Sequence, residues 1–193
     1  FYSGGFMPEM ILIGISNRKN RTTNLTPVQS DLNAADFLAF IETELIPHIE
    51  AEYPVTDYRT LIGHSYGGLF TIYSLINRPE LFHNFLSIDP SLDWGDRTFL
   101  KKATDTIGPL DLTGKSLYVS LSGQLHMQNS EMTIENVQSD TSQFTLFSRS
   151  NIEFSESVKA NAQNGLEYFW QYYPNELHGT ICYPSIKDGI ISL

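Results

Sequence analysis

Positive charge is scarce in this chain: 12 Lys and Arg stand against 22 Asp and Glu, a formal net charge of −10 over 193 residues. Such a surface repels phosphate backbones and anionic lipid headgroups, which argues against nucleic acid as a partner; the acidity itself is read as a solvated surface that favours solubility. Cysteine is nearly absent. The one residue present, Cys182, cannot form an internal disulfide, so cysteine usage leaves the redox compartment open. No apolar run approaches the ~18 residues that a membrane span requires. The start of the sequence, Phe1 to Met10, lacks the basic-then-apolar order of a signal peptide. A soluble protein of the cytoplasm or the periplasm fits these absences. Internal repeats, low-complexity tracts and linker-like shifts in composition are also missing. What is present, 41% hydrophobic and 18% charged residues, suits one globular domain over residues 1–193.

The apolar pattern alternates between short buried runs and helical stretches. Met10 to Ile15 predicts a strand buried on both faces. From Asp31, a candidate cap, apolar residues from Leu32 to Ile49 recur at threes and fours as on an amphipathic helix, with Pro47 near its end. Arg59 to Gly63 predicts a strand, and Gly68 to Asn77 a helix that stops before Pro79. Strands follow at Phe85–Asp89 and Ser116–Leu121, with a helix between them at Arg97 to Thr106. A long helix is expected over Asp140 to Lys159, with Phe144, Leu146, Phe147, Ile152, Phe154 and Val158 on its apolar side. An aromatic-rich last strand is expected over Leu166 to Tyr173. This alternation predicts an α/β fold with a mostly parallel, doubly wound sheet. Gln124 to Ser139 is polar and unassigned, a surface excursion or a loop facing substrate.

The turn Gly63-His64-Ser65-Tyr66-Gly67 lies directly between a predicted strand and a predicted helix. A sharp bend of this kind holds a serine in a strained conformation that lifts its hydroxyl above the sheet, with glycines two places away leaving room for crossing backbone. Ser65 is therefore the candidate nucleophile. The amide of Tyr66, at the start of the following helix, is placed to donate to an oxyanion.

A serine hydroxyl needs a base, which in this kind of architecture comes late in the chain, on the loop after the final strand. His178 occupies that place, followed by Gly179, which would let the loop pack over the serine. The other histidines fit less well: His48 and His83 belong to helix ends, His126 to the unassigned loop, and His64 to the elbow with its side chain expected to point away from the nucleophile. Three carboxylates are candidates to orient the base. Asp140 is preferred for its order in the chain, although it could simply cap a helix; Asp89 ends the strand after the elbow; Glu176 stands two residues from His178. A dyad without an acid is also open.

Arg59-Thr-Leu-Ile-Gly-His-Ser-Tyr-Gly-Gly-Leu-Phe70, Asp89-Pro-Ser-Leu-Asp-Trp94 and Glu176-Leu-His-Gly179 together resemble the esterase family that contains esterase D-like and IroE-like siderophore-esterase hydrolases, of the α/β-hydrolase superfamily. Ile13 to Asn17, Arg21 and Leu25-Thr-Pro27 resemble the family's strand and arginine-containing loop, and Val137 to Asp140 the segment before its late helix. The resemblance implies hydrolysis of a carboxylic ester through an acyl-serine intermediate. It assigns attack to Ser65, proton transfer to His178 and orientation to an acid, Asp140. It implies substrate contacts at Arg21 and Trp94, a small-molecule ester as partner, and neither cofactor nor metal. The second oxyanion donor of such hydrolases comes from an earlier central strand for which nothing before Met10 provides. The sheet is thus expected to lack its N-terminal strands, and the chain to be a fragment of a longer one. Rival readings are a non-catalytic binding module on a hydrolase scaffold, and a thioesterase or acyltransferase using the same acyl-serine chemistry.

Overall fold

The computed structural model describes residues 9–17, 19–27, 34–126 and 131–193. In chain order the elements are α1 (Arg21–Leu25), α2 (Ala34–Phe40), a π turn (Ile41–Leu45) leading into α3 (Ile46–Glu52), β1 (Thr60–His64), α4 (Tyr66–Asn77), β2 (Asn84–Ile88), α5 (Thr98–Ile107), β3 (Ser116–Ser122), α6 (Leu146–Ala160), β4 (Glu167–Tyr173) and α7 (Cys182–Ser192). The four strands form one parallel sheet in the order β1-β2-β3-β4, so each strand lies beside its neighbour in sequence.

Strand alternation sends side chains to two covered faces. Phe85, Leu117 and Val119 enter the main core with residues of α4, α5 and α6. On the other face α7 lies over Leu86, Tyr118 and Ser120: Ser185 Oγ bonds Ser120 Oγ at 2.7 Å, and a Cβ on Gly189 would come within 2.7 Å of Leu86. β2 and β3 are buried along their whole length, whereas β1 and β4 are only partly covered, as befits outer strands. α4 is buried without a break from Gly68 to Ile76. Its two polar side chains in that run satisfy themselves locally, Thr71 donating to Gly67 O and Ser74 to Phe70 O, both at 2.9 Å.

Several expected elements differ in detail. The amphipathic helix forms as α2, the π turn and α3, and its proposed cap Asp31 lies outside the described residues. Pro47 explains the π turn: its ring opposes the carbonyl four residues back and it carries no N–H, and the wider turn just before it, with Ile46 N–H bonded to Ile41 O, relieves the crowding. The late helix begins at Leu146, not at Asp140, because residues 140–145 are tied into a turn of their own; Phe144, expected on the apolar side, is 70% exposed. The excursion after β3 carries a small core in which Leu125 and Val137 pack with Leu121 and Ile152.

The strand expected at Met10 to Ile15 does not form. Residues 9–17 have no regular structure, and Leu12 is 89% exposed. A strand buried on both faces needs a paired neighbour and two covering layers. This segment has neither, since β1 pairs with β2 alone among the described residues. No helix among the described residues is long and apolar enough to cross a membrane.

Candidate active site

Ser65 stands between β1 and α4 with φ 62° and ψ −117°, a conformation that L-residues rarely adopt and that costs on the order of 1–3 kcal/mol. The surroundings hold it there. Its N–H donates to Ile88 O at 3.0 Å, while its carbonyl accepts from Leu69 N–H at 3.0 Å and Ser91 N–H at 3.1 Å. Close backbone approach explains two of the three elbow glycines. A Cβ on Gly63 would lie 2.0 Å from Gly67 O, and one on Gly68 would lie 3.0 Å from Ile88 O and from Pro90 Cα. Gly67 itself has open space where a Cβ would go, so the tight pair is Gly63 and Gly68, not Gly63 and Gly67. Tyr66 is the first residue of α4, where backbone N–H groups have no intrahelical acceptor and the helix dipole is positive. The Ser65 hydroxyl meets Ser91 Oγ at 3.2 Å.

The residue after β2, Asp89, is fully buried and also has positive φ, 45°. Its Oδ1 accepts Ser122 N–H at 2.8 Å, and its Oδ2 lies 2.6 Å from His178 Nδ1. His178 follows β4 on a loop fastened to the end of β3: Gly123 N–H bonds Glu176 O at 2.8 Å, and His178 N–H bonds Gln124 Oε1 at 3.3 Å. Its side chain is 34% exposed, and the ring is edged by Phe147 of α6 at 5.5 Å between centroids. Ser65, Asp89 and His178 thus gather at the carboxyl ends of the strands, where ligands bind in open α/β sheets.

This geometry corrects the preference for Asp140. Its carboxylate accepts the Ser142 hydroxyl at 2.5 Å, the Thr145 hydroxyl at 2.7 Å and the Ser142 N–H at 3.2 Å, which knits the turn before α6. Those bonds, the Ser142 hydroxyl foremost, hold the Asp140 carboxyl down at about 2. Glu176 is engaged with the Thr180 hydroxyl at 2.6 Å. The carboxylate on the histidine ring is Asp89. Its signal in the sequence was an apolar strand ending directly at an acid, between Ser65 and His178 in chain order. Gly179 has open space around its Cβ position, so tight packing does not account for it. His64 also departs from expectation: its ring packs on that of His178 with centroids 4.5 Å apart, and burial first, then the charge of His178, pushes its pKa down. Ser91 was not singled out in the sequence as a contact of Ser65.

Around the elbow, Arg21 and Trp94 converge on one ring. The Arg21 guanidinium lies 4.9 Å from the centroid of Tyr66, and the Trp94 ring meets Tyr66 edge-on, also at 4.9 Å. Arg21 is exposed and Trp94 partly buried. Asp93, next to Trp94, has its carboxyl pushed up by burial, with His178 pulling the other way. Burial, and then the charge of Asp89, pushes the Cys182 thiol up, which keeps it protonated.

Several known proteins have similar sequences. The curated relatives include the ferri-bacillibactin esterase BesA of Bacillus subtilis (strain 168), 40% identical over 73 residues, 37% of this chain and 25% of that protein. The siderophore enterobactin esterase of Emericella nidulans is 29% identical over 176 residues, 83% of this chain and 56% of that protein. Among solved structures, an IroE-like serine hydrolase from Shewanella oneidensis superposes with a TM-score of 0.75 at 24% identity, over 90% of this chain and 56% of that one. This likeness shows the α/β-hydrolase fold. The chain spans no more than 56% of the length of any of these three. The model of the family described as "Putative esterase" matches residues 3–105, a span that holds Arg21, Ser65, Asp89 and Trp94 and stops short of His178. With more than half of its length matched, the chain belongs to that esterase family.

Proposed function

We propose that this chain carries the reacting centre of a serine hydrolase that cleaves carboxylic esters, or lactones, through an acyl-Ser65 intermediate. The observation that carries the reading is the buried Asp89 on His178 Nδ1 at 2.6 Å, beside a serine held at a strained strand-to-helix bend. Because Asp89 occupies Nδ1, His178 presents Nε2 as the base. The Ser65 hydroxyl turns from Ser91 toward that nitrogen and attacks the ester carbonyl as its proton passes to Nε2. Asp89 balances the imidazolium, and the Tyr66 amide donates to the oxyanion. The proton then goes to the departing alkoxide, an alcohol leaves, and water activated by the same imidazole hydrolyses the acyl-serine and restores the enzyme.

The named relatives act on siderophore esters, which supports a multidentate iron-chelator ester as the substrate class. The Arg21, Tyr66 and Trp94 cluster suits such a ligand, since it sets a cation and two aromatic rings beside the nucleophile. The test is covalent. A fluorophosphonate should label Ser65 in the folded protein, and Ser65→Ala should abolish both labelling and the hydrolysis of a chromogenic short-chain ester. Folded protein that takes no label, or a Ser65→Ala variant as active as the parent, overturns the reading and favours a non-catalytic binding module.

A further inference from the structure

The proposed chemistry uses Ser65, His178 and Asp89, and leaves one neighbouring side chain without work. His64, at the end of β1, has its Nε2 buried with no hydrogen-bond partner, although a buried ring nitrogen ordinarily finds one. Its ring faces His178 with centroids 4.5 Å apart. A ring nitrogen of His64, a ring nitrogen of His178 and a carboxylate oxygen of Asp89 all lie within 4.8 Å of one another. Two imidazoles and one carboxylate are a donor set suited to a borderline divalent ion, with a fourth position left to water. Around tetrahedral zinc, with bonds of ~2.0–2.2 Å, donor atoms sit about 3.4 Å apart. The three groups must therefore draw together by an ångström or so. His178 can supply that movement, since it sits on a loop and is 34% exposed, whereas the His64 backbone is fixed in the sheet and Asp89 is fully buried with its carboxylate held by Ser122 N–H.

We infer that His64, Asp89 and His178 form a three-ligand site for Zn2+, and that occupancy of this site shuts off the hydrolase proposed above, on which the second half of the inference rests. An ion held by the His178 ring and by Asp89 competes with their 2.6 Å hydrogen bond. Whichever ring nitrogen it takes, the imidazole can no longer both hold Asp89 through Nδ1 and accept the serine proton at Nε2. His64 is the residue that turns a pair into a chelate, which gives its orphaned nitrogen a partner.

Calorimetric titration of EDTA-treated protein with Zn2+ at neutral pH tests the site without relying on activity. One ion per chain is expected, and His64→Phe should weaken binding by at least roughly tenfold, the least that loss of even an outer-sphere partner costs a metal site. Should that variant fold poorly, the imidazole resonances of the unaltered protein give the same answer, because those of His64 and His178 should shift together as Zn2+ is added. Ester hydrolysis should fall at least about tenfold at saturating Zn2+ and return with EDTA, and His64→Phe should blunt this inhibition in proportion to its lost affinity. Binding unchanged in His64→Phe, rings that do not respond, or inhibition of the variant at the same Zn2+ concentration as its parent would each overturn the site. If EDTA-treated protein hydrolyses no ester, the hydrolase reading fails and the inhibitory role with it, while calorimetry and the ring resonances still decide whether the ion binds.

Discussion

Replacing Asp89 by asparagine tests the proposed reacting centre most sharply, because the two residues are nearly isosteric and the surroundings dictate how the amide must sit. Oδ1 accepts the Ser122 N–H at 2.8 Å, a bond that only an oxygen can keep, so the asparagine oxygen stays there and its NH2 is turned toward His178. The NH2 then donates to Nδ1, the ring proton moves to Nε2, and the nitrogen that should accept the serine proton is already protonated. Loss of one charge-assisted hydrogen bond, about 1.5–3 kcal/mol, accounts for roughly 10–100-fold. The wrong tautomer brings the expected fall in kcat to about 10²–10⁴-fold, as when a serine–histidine–aspartate triad loses its acid in this way. Asp140→Asn should leave kcat within about twofold, in the range of an ordinary surface change. Steady-state hydrolysis of a short-chain chromogenic ester, with circular dichroism to show that each variant folds, makes the comparison. An Asp89→Asn enzyme within tenfold of its parent, or an Asp140→Asn enzyme equally impaired, refutes the assignment.

Asp140 should matter instead for acid stability. Its carboxyl is held below the ~3.9 of an unfolded chain, so its contribution is fully present above that value and is lost as pH falls toward about 2. Asp140→Asn should therefore lower Tm slightly near neutrality and lose that difference below pH 3, as a melting series across pH will read. At the elbow, Gly63→Ala should prevent folding or lower Tm sharply, since its Cβ would stand 2.0 Å from a carbonyl oxygen, while Gly67→Ala should hold or raise Tm because it adds helix propensity in open space. Arg21→Gln should raise KM for an anionic ester about 2–5-fold with kcat little changed, as expected for an exposed charge, and should remove much of the salt dependence of KM.

The elements legible in the sequence were those whose pattern and local chemistry agree. β1, α4 and the bend between them could be read because an apolar run, a glycine-flanked serine and a second apolar run follow one another within eighteen residues, and the resulting contacts are local. The late loop with His178 could be read from its place after an aromatic strand. Asp89 was harder: the evidence that selects it over Asp140 is a hydrogen bond to Ser122, 33 residues away, and one to His178, 89 residues away, and no local pattern encodes either. Conversely, Asp140 satisfies chain order but spends its oxygens on Ser142 and Thr145, a capping role that the same letters allow. Met10 to Ile15 failed for the opposite reason. Its composition predicts a buried strand, but composition cannot supply the neighbour such a strand pairs with.

Strand order explains why the site needs its loops to be laced together. Neighbouring strands lie ~4.8 Å apart, so the end of β4 stands three spacings, roughly 14 Å, from the end of β1. A histidine at the tip of β4 cannot reach the serine at the tip of β1 by extension along its own strand. The loop after β4 instead turns back across the end of β3, where Gly123 N–H holds Glu176 O and the chains touch so closely that a Cβ on Gly123 would lie 2.0 Å from Pro174 O. His178 is thereby delivered to Asp89, at the tip of β2, two of the three spacings back toward β1. Asp89 is in turn fastened to β3 through Ser122, and Ser65 to the end of β2 through Ile88 and Ser91. Each loop is fixed by the strand beside it, so Ser65, Asp89 and His178 are placed by the sheet's own register, and the strain stored at Ser65 and Asp89 is held by bonds between loops.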